Sequence, residues 1–461
     1  MKKDYLGKHV VILGAARQGL ALMKYLKAHG AEVTVTDRKD EQVLQDVVND
    51  FQDEEINWVL GGHPTDLLER ADYLSLSGGV PLTIPLVKDA RLRGVPLTND
   101  SQIFLEMVPC PVIGITGSAG KTTTTILVGK MAVAAKGDNR SWVGGNIGNP
   151  LISDVDHMKE DHIAVMELSS FQLELMDISP NVACILNITP NHLDRHGTME
   201  AYASAKARIL AAQSETDIAV LNREDPGSWE FKDQVQGKLI SFGQYMPADD
   251  QKGTYLDGEW ICYWDGKGTS RLIPVGSIKL RGAHNQMNVL AACAIAIAVE
   301  FPAEAILEGV ESLRGVPHRL EPVRSWGGAD WVNDSKATTP KGSIAAIDSF
   351  HEPLVLLAGG RDKDLPWQDF SQLVLKRVRY LILFGEAADL IEESLLAELD
   401  LEQEMIPYLK CSGLKDAVAA AADICMDGDV VLLSPGGTSF DEFIDFEERG
   451  DKFRLWVNEL N

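Results

Sequence analysis

Between Val112 and Thr123 the chain reads V-I-G-I-T-G-S-A-G-K-T-T: an apolar strand, a glycine-bearing turn, then Lys121 and Thr122 opening a helical stretch. A turn of this kind aims backbone N–H groups and a helix N-terminus at phosphate, while Lys121 adds a cation and the Thr122 hydroxyl offers a magnesium ligand. Gly117, Ser118, Ala119, Gly120 and Thr123 complete the expected ATP loop. The strict phosphate-loop pattern is not met, because Ile115 stands five residues before Gly120 where that pattern has glycine.

Downstream, A-V-M-E-L-S-S-F-Q-L places Glu167 at the end of an apolar strand. After a further apolar run, N-I-T-P-N-H-L-D-R-H-G supplies His192, Asp194 and His196. Each alone is equally well explained as a cap or a satisfied polar residue. Together behind a phosphate loop they form a candidate magnesium site, since Mg2+ on nucleotide phosphates takes only one or two protein oxygens. Near the start, G-A-A-R-Q-G at 14–19 lies between a strand and a helix, with Asp37 ending the next strand. It has the form of a dinucleotide fingerprint with Ala16 replacing the middle glycine, so a phosphate or ribose site is expected there. Asn285 and Asn288, three apart before an Ala-rich stretch, share a helix face, and capping explains one more readily than both. Arg319, Lys336 and Lys363 gather beside strand ends in an otherwise acidic chain, which suits an anion site better than a solvated loop. Lys206, in A-Y-A-S-A-K-A-R, reads by residue type as a surface lysine on an Ala-rich helix.

The elements that hold these groups are short β-branched runs alternating with amphipathic stretches, the pattern of α/β layers with mostly parallel sheets. At roughly 150 residues per domain, 461 residues suggest about three domains. The breakers Gly94-Val95-Pro96 and Gly315-Val316-Pro317 separate blocks over 1–99, 100–316 and 317–461. Strands in the last block end in glycines, and ligands of open parallel sheets gather at such carboxyl ends. A formal charge of -25 excludes a broad surface for nucleic acid or an anionic membrane, either of which needs clustered cations. Six cysteines without a C-x-x-C pair read as buried reduced thiols in a cytoplasmic protein. The opening M-K-K-D-Y-L-G-K-H-V-V-I-L-G runs straight into a strand, so no signal peptide is expected. The longest apolar stretch, from Val289 to Val299, is short of the ~20 residues that span a bilayer.

Taken in order, several segments resemble the Mur ligases over nearly the whole chain. They are the phosphate loop, G-G-N-I-G at 144–148, E-L-S-S-F at 167–171, His192 in N-H-L-D, Ala205-Lys206, His284-Asn285, Pro317-His318-Arg319, N-D-S-K-A-T at 333–338 and the segment 434–446. The resemblance implies a Rossmann-like UDP-binding domain, a central phosphate-loop ATPase domain, and a dinucleotide-fold-like C-terminal domain that binds the amino acid and closes over ATP. It further implies a cytoplasmic, monomeric ligase of peptidoglycan precursor synthesis. The reaction expected is ATP-dependent addition of D-glutamate to UDP-N-acetylmuramoyl-L-alanine through an acyl phosphate, with Mg2+ at two sites. Arg17, Gln18, Asp37, Arg38 and Gly79 fall at family positions for UDP, and Asn146 at one for the precursor. Lys121, Thr122, Asn285, Asn288, Arg319 and Asp334 fall at ATP positions. Thr122, Glu167, His192 and Lys206 fall at the magnesium-associated ones, Lys206 being the lysine carbamylated in the family. Lys121, His192 and Lys206 are the expected catalytic groups. Thr338, Lys363, Ser439 and Phe446 fall in the amino-acid pocket, with Lys336 alongside.

Three positions depart from the family pattern. Ala119 stands where Asn is usual, with loss of one ATP contact expected. Asn191 stands where Asp often precedes the metal-site His, with weaker magnesium binding expected. Gly78 replaces a usual Pro, with a looser uracil-side loop expected. A different Mur ligase or a folylpolyglutamate synthase is the neighbouring reading, although Asp37 and the Rossmann-like first block speak against the folate enzyme. A nucleotide hydrolase without ligase activity is the reading from another class, and it would release phosphate with neither precursor nor amino acid present.

Overall fold

The computed structural model describes residues 4–52, 54–313, 315–399 and 405–460, and of Asp194 only the backbone. The side chain of Asp194, a candidate metal group by sequence, therefore lies outside the described residues. The chain divides into two compact units, Met1–Ser277 with Met287–Ser312, and Ile278–Gln286 with Leu313–Asn461.

Among the described residues the first unit holds two sheets. Strands β1 (His9–Leu13), β2 (Glu32–Asp37), β3 (Asn57–Leu60), β4 (Tyr73–Leu76) and β5 (Leu97–Thr98) form an all-parallel sheet in the order β3-β2-β1-β4-β5. Buried on both faces, a strand such as Val-Val-Ile-Leu reads as a continuous apolar run instead of an alternation. The second sheet comprises β6 (Val112–Thr116), β7 (Ser141–Gly145), β8 (Ile163–Glu167), β9 (Val182–Ile185), β10 (Ile218–Asn222), β11 (Lys238–Phe242), β12 (Gly253–Asp257), β13 (Trp260–Trp264) and β14 (Thr269–Pro274). Its order is β14-β13-β12-β11-β10-β9-β6-β8-β7, parallel from β7 to β12 and ending in the antiparallel meander β12–β14.

Among the described residues the second unit has one sheet, of β15 (Glu321–Trp326), β16 (Ala329–Asn333), β17 (Leu354–Gly359), β18 (Val378–Phe384), β19 (Tyr408–Cys411) and β20 (Val430–Gly436), in the order β15-β16-β20-β17-β18-β19. Of these described strand pairs, β15–β16 alone is antiparallel. The α/β, parallel-rich architecture expected from the sequence is the one observed. All six cysteines are unpaired thiols, four buried and Cys411 and Cys425 partly so.

Sheet register places the chemistry. Strand β6 lies between β8 and β9, with Ile115 opposite Glu167 and Thr116 opposite Ile185. The carboxyl ends of three neighbouring strands thus deliver the phosphate loop, Glu167 and the segment from Leu186 onward to one edge.

Candidate active site

The phosphate loop is held from outside itself. Asn187 clamps the Ala119 peptide at both ends, its Oδ1 accepting from Ala119 N at 2.9 Å and its Nδ2 donating to Ala119 O at 3.1 Å. Ser118 Oγ donates to Thr189 O at 2.9 Å and lies 3.0 Å from the Tyr202 hydroxyl. The helix Lys121–Lys136 then starts from Gly120 at φ +85°. A Cβ on Gly120 would come within 2.3 Å of Asn288 Oδ1, so both backbone angle and space demand glycine here. Lys121 Nζ folds back to Gly117 O at 2.9 Å.

Lys206 converges on the same carbonyl, with Nζ to Gly117 O at 2.9 Å and to Thr116 Oγ1 at 3.4 Å. It is 1% exposed, because the buried stripe of the helix Met199–Ala211 runs through Tyr202, Lys206, Ile209 and Leu210. Burial, and then the neighbouring Lys121 charge, hold its amine well below the ordinary lysine pKa; the Glu167 charge only partly offsets them.

Glu167, 2% exposed, accepts from Asn146 Nδ2 at 2.9 Å through Oε1. Its buried Oε2 has no hydrogen-bond partner among the described residues. An ionised oxygen in that condition is costly unless a cation meets it. Among the described residues no group of three His, Cys, Asp or Glu side chains is placed for a metal. An open carboxylate oxygen is the kind of hard donor that Mg2+ takes, and Thr122 supplies a hydroxyl in the first turn of the helix that follows the phosphate loop, so the residues present fit that ion. His192 is at φ +52°, N-terminal to the one-turn helix Leu193–His196, with its ring edge-on to Phe171 at 5.1 Å.

At the first sheet, Asp37 Oδ2 accepts from Ala15 N at 2.8 Å and its Oδ1 from Lys39 N at 2.9 Å, so this carboxylate shapes the turn after β1. Gln18 Oε1 accepts from Gly78 N at 3.2 Å, and Ser77 Oγ donates to Gly14 O at 3.0 Å. Gly78 thus gives this loop one tie that the usual residue could not make. A proline there has no N–H, and the glycine gains a tie to the 14–19 turn. Gly79 sits at φ +101°; Arg38 is exposed. Arg17 reaches Asn146 O at 3.4 Å, bringing the UDP-side and precursor-side candidates together.

In the second unit, Asp334 is buried, accepting from Ser434 Oγ at 2.9 Å and from Leu320 N at 3.2 Å. Burial pushes its pKa up to about 7, against those bonds and the Arg319 charge. Asn285 Nδ2 donates to Arg281 O at 2.7 Å. Burial, then Arg319, lowers the pKa of His284. Lys336 Nζ lies 5.4 Å from the centre of the Phe446 ring. Lys363 Nζ is 3.5 Å from Thr338 Oγ1, its pKa lowered by burial and then by Arg449. Ser439 is buried one residue beyond Thr438. Lys336, Thr338, Lys363 and Ser439 thus lie on loops after β16, β17 and β20, and Phe446 opens the helix Phe446–Glu459.

Sequence reasoning assigned nothing to Arg449, which is fully buried and donates to Ser335 Oγ, Ser335 O, Thr438 O and Gly437 O at 2.9–3.1 Å. It fastens two of those loops together. Its only signal was its place three residues after Phe446. Asn187, Tyr202, Phe171 and Arg195 were likewise left without a role.

Family models match three stretches: the Mur ligase MurD-like N-terminal domain at residues 8–99, the Mur ligase middle domain at 115–296, and the Mur ligase glutamate ligase domain at 318–437. UDP-N-acetylmuramoylalanine–D-glutamate ligases are similar end to end. That of Symbiobacterium thermophilum is 37% identical over 99% of this chain and 99% of its own. That of Pelotomaculum thermopropionicum is 38% identical over 100% and 99%, and that of Legionella pneumophila 39% identical over 98% and 99%. Among solved structures, UDP-N-acetylmuramate-alanine ligase MurC from Thermotoga maritima superposes with TM-score 0.60 at 18% identity, covering 98% of this chain and 99% of that one. MurF from Acinetobacter baumannii gives 0.57 at 18%, covering 99% and 92%. At such identities these two establish the fold alone.

Proposed function

The chain belongs to the Mur ligase family, and from that premise we propose that it joins D-glutamate to UDP-N-acetylmuramoyl-L-alanine at the expense of ATP. The observation that carries the reading is the buried edge where Lys121 and Lys206 share Gly117 O beside the unpartnered Glu167 oxygen. Relatives of 37–39% identity over full length bear the same substrates in their names.

An alanine carboxylate is a poor electrophile, so ATP first converts it to an acyl phosphate; the D-glutamate amine then adds to the carbonyl, and phosphate leaves through a tetrahedral intermediate. This chemistry asks the protein for positioning and charge stabilisation. The phosphate-loop N–H groups and Lys121 bind the ATP phosphates. Thr122, Glu167, His192 and a carbamylated Lys206 would hold Mg2+ at two sites, and the bound metal would offset phosphate charge. The carbamate forms when the neutral Lys206 amine bonds to the carbon of CO2 and releases a proton to solvent, giving an oxygen anion on a long stem. A depressed amine pKa favours that step.

UDP is assigned to Arg17, Gln18, Asp37, Arg38 and Gly79, and the precursor to Asn146. ATP contacts at Asn285, Asn288, Arg319 and Asp334, and amino-acid contacts at Lys336, Thr338, Lys363, Ser439 and Phe446, belong to the same proposal. So do the domain limits 1–99, 100–316 and 317–461, and a cytoplasmic monomer. Among the described residues no helix is long and apolar enough to cross a membrane.

The test is phosphate release from ATP with UDP-N-acetylmuramoyl-L-alanine, comparing D-glutamate, L-glutamate, L-lysine and L-alanine. Release dependent on both precursor and D-glutamate is expected. Preference for L-lysine, or release with neither substrate present, would overturn the reading.

A further inference from the structure

His192 adopts φ +52°, a left-handed conformation costing a non-glycine residue on the order of 1 kcal/mol or more unless its surroundings impose it. It opens a helix of one turn, Leu193–His196, far too short to persist unaided. One ring packs against three side chains of this turn. Phe171 meets His192 edge-on at 5.1 Å, stacks on His196 at 5.4 Å and 9°, and carries the Arg195 guanidinium 4.1 Å from its centre. His196 is itself pinned, with Nε2 3.0 Å from Ser170 Oγ and Nδ1 3.1 Å from Glu174 Oε1.

The same guanidinium also reaches out of this cluster: Arg195 Nη2 donates to Val80 O at 2.6 Å, in the loop after β4. That loop is the one tied to the 14–19 turn through Ser77–Gly14 and Gly78–Gln18, and Val80 N closes it onto Ser77 O at 3.2 Å. A contiguous set of contacts therefore runs from the UDP-side turn, through residues 77–80 and one guanidinium, to His192.

We propose that Arg195 is a positioning residue that couples the uridine-side loop to the His192 turn, so that occupancy of the UDP site strengthens magnesium–nucleotide binding at the phosphate loop. The inference rests on the ligase reading above. Arginine suits the task because its planar cation stacks on a ring while its forked N–H groups still reach a carbonyl, whereas the compact ammonium of lysine has no plane to lay on the ring. Binding linkage is reciprocal, so either ligand reports the coupling.

The experiment is calorimetric titration of the full chain with Mg2+ and a non-hydrolysable ATP analogue, with and without saturating UDP-N-acetylmuramoyl-L-alanine. Wild type is expected to bind the analogue about tenfold tighter with precursor present, within the usual 5–150-fold span of such couplings. Arg195→Met should bring that ratio to within about twofold of unity while each ligand alone binds within about threefold of wild type. Arg195→Lys should keep part of the ratio. Phe171→Leu, which removes the ring and leaves the arginine, should also lower it; a merely structural role would weaken both ligands and leave the ratio intact. Wild type that binds precursor without coupling, or either Arg195→Met or Phe171→Leu with the full ratio, overturns the proposal. Wild type that binds no precursor overturns the ligase reading and the coupling with it.

Discussion

Replacing Lys206 by Met separates stability from catalysis. The side chain is buried, its Nζ lies 4.8 Å from the centre of the Tyr202 ring, and its stem packs in the helix stripe, all of which methionine's similar length largely preserves. The variant loses the bond to Gly117 O, worth about 1 kcal/mol, yet that carbonyl keeps Lys121 as a donor. It also no longer holds a polar amine away from water, which offsets part of the loss. The net change is about 1 kcal/mol or less, or at most about 4 °C in Tm for a unit of this size. Activity should respond quite differently. If the carbamate oxygen stabilises charge on the transferring phosphoryl group, its removal costs about 3–4 kcal/mol, on the order of 10²–10³-fold in turnover.

Phosphate release with precursor and D-glutamate, read beside a thermal scan, tests both halves. Lys206→Arg, which keeps a charge but cannot form this carbamate, should lose as much activity. Stripping CO2 and bicarbonate from wild type should lower turnover reversibly. At limiting bicarbonate, turnover should rise with pH, since only the neutral amine reacts. The sign for stability agrees. With the folded pKa depressed, the unfolded chain binds the extra proton below the ordinary lysine pKa, so the contribution of this residue is lost as pH falls from there towards the folded value. More than a tenth of wild-type turnover in Lys206→Met, or an unmodified lysine in fully active, bicarbonate-saturated enzyme, would refute the argument.

Lys121→Ala removes the loop's side-chain cation without opening the core, and should lower phosphate release by about 10²-fold or more with an unchanged thermal transition; near-normal turnover would remove the phosphate-loop assignment. Gly78→Pro deletes the N–H that Gln18 accepts, and calorimetry should show the affinity for UDP falling by about three- to tenfold, the loss of one hydrogen bond; unchanged affinity would show the tie to be idle. Asp334, with its pKa pushed up to about 7, contributes stability that is complete below about pH 4 and is lost as pH rises through 7, because the folded chain holds the proton that the unfolded chain has released. Asp334→Asn should flatten that slope in denaturant titrations between pH 5 and 8, and an unaltered slope would place the proton elsewhere.

Strand runs and glycine punctuation were legible because local physics dictates them: Val112–Thr116 and Leu354–Gly359 are continuous apolar strands that only a two-sided parallel sheet buries. Lys206 was misread by type as exposed, yet the positions of Tyr202, Ile209 and Leu210 already put it on the apolar stripe. The N–H that Gly78 offers in place of a proline was illegible too, since it counts only where the distant amide of Gln18 lies within reach. Arg449 was illegible because its four acceptors come from two loops over a hundred residues apart in sequence, at Ser335 and at Gly437–Thr438. The same holds for Asn187 and Arg195, whose partners are set by tertiary register and not by any local pattern.

The clamps on the phosphate loop bear on how the chain is made. Asn187 lies 68 residues beyond Ala119, Thr189 lies 71 beyond Ser118, and Tyr202 lies 84 beyond Ser118. The loop thus leaves the ribosome long before the residues that shape it. At roughly 5–20 residues per second, about 4–17 s pass between Ser118 and Tyr202. For most of that interval strand β6 has no β9 beside it, and the glycine-rich turn lacks the residues that fix its N–H groups. Nascent chains arrested before Asn187 should therefore retain no nucleotide, and those arrested well past Tyr202 should begin to, which makes ATP binding a late event in the maturation of the first unit.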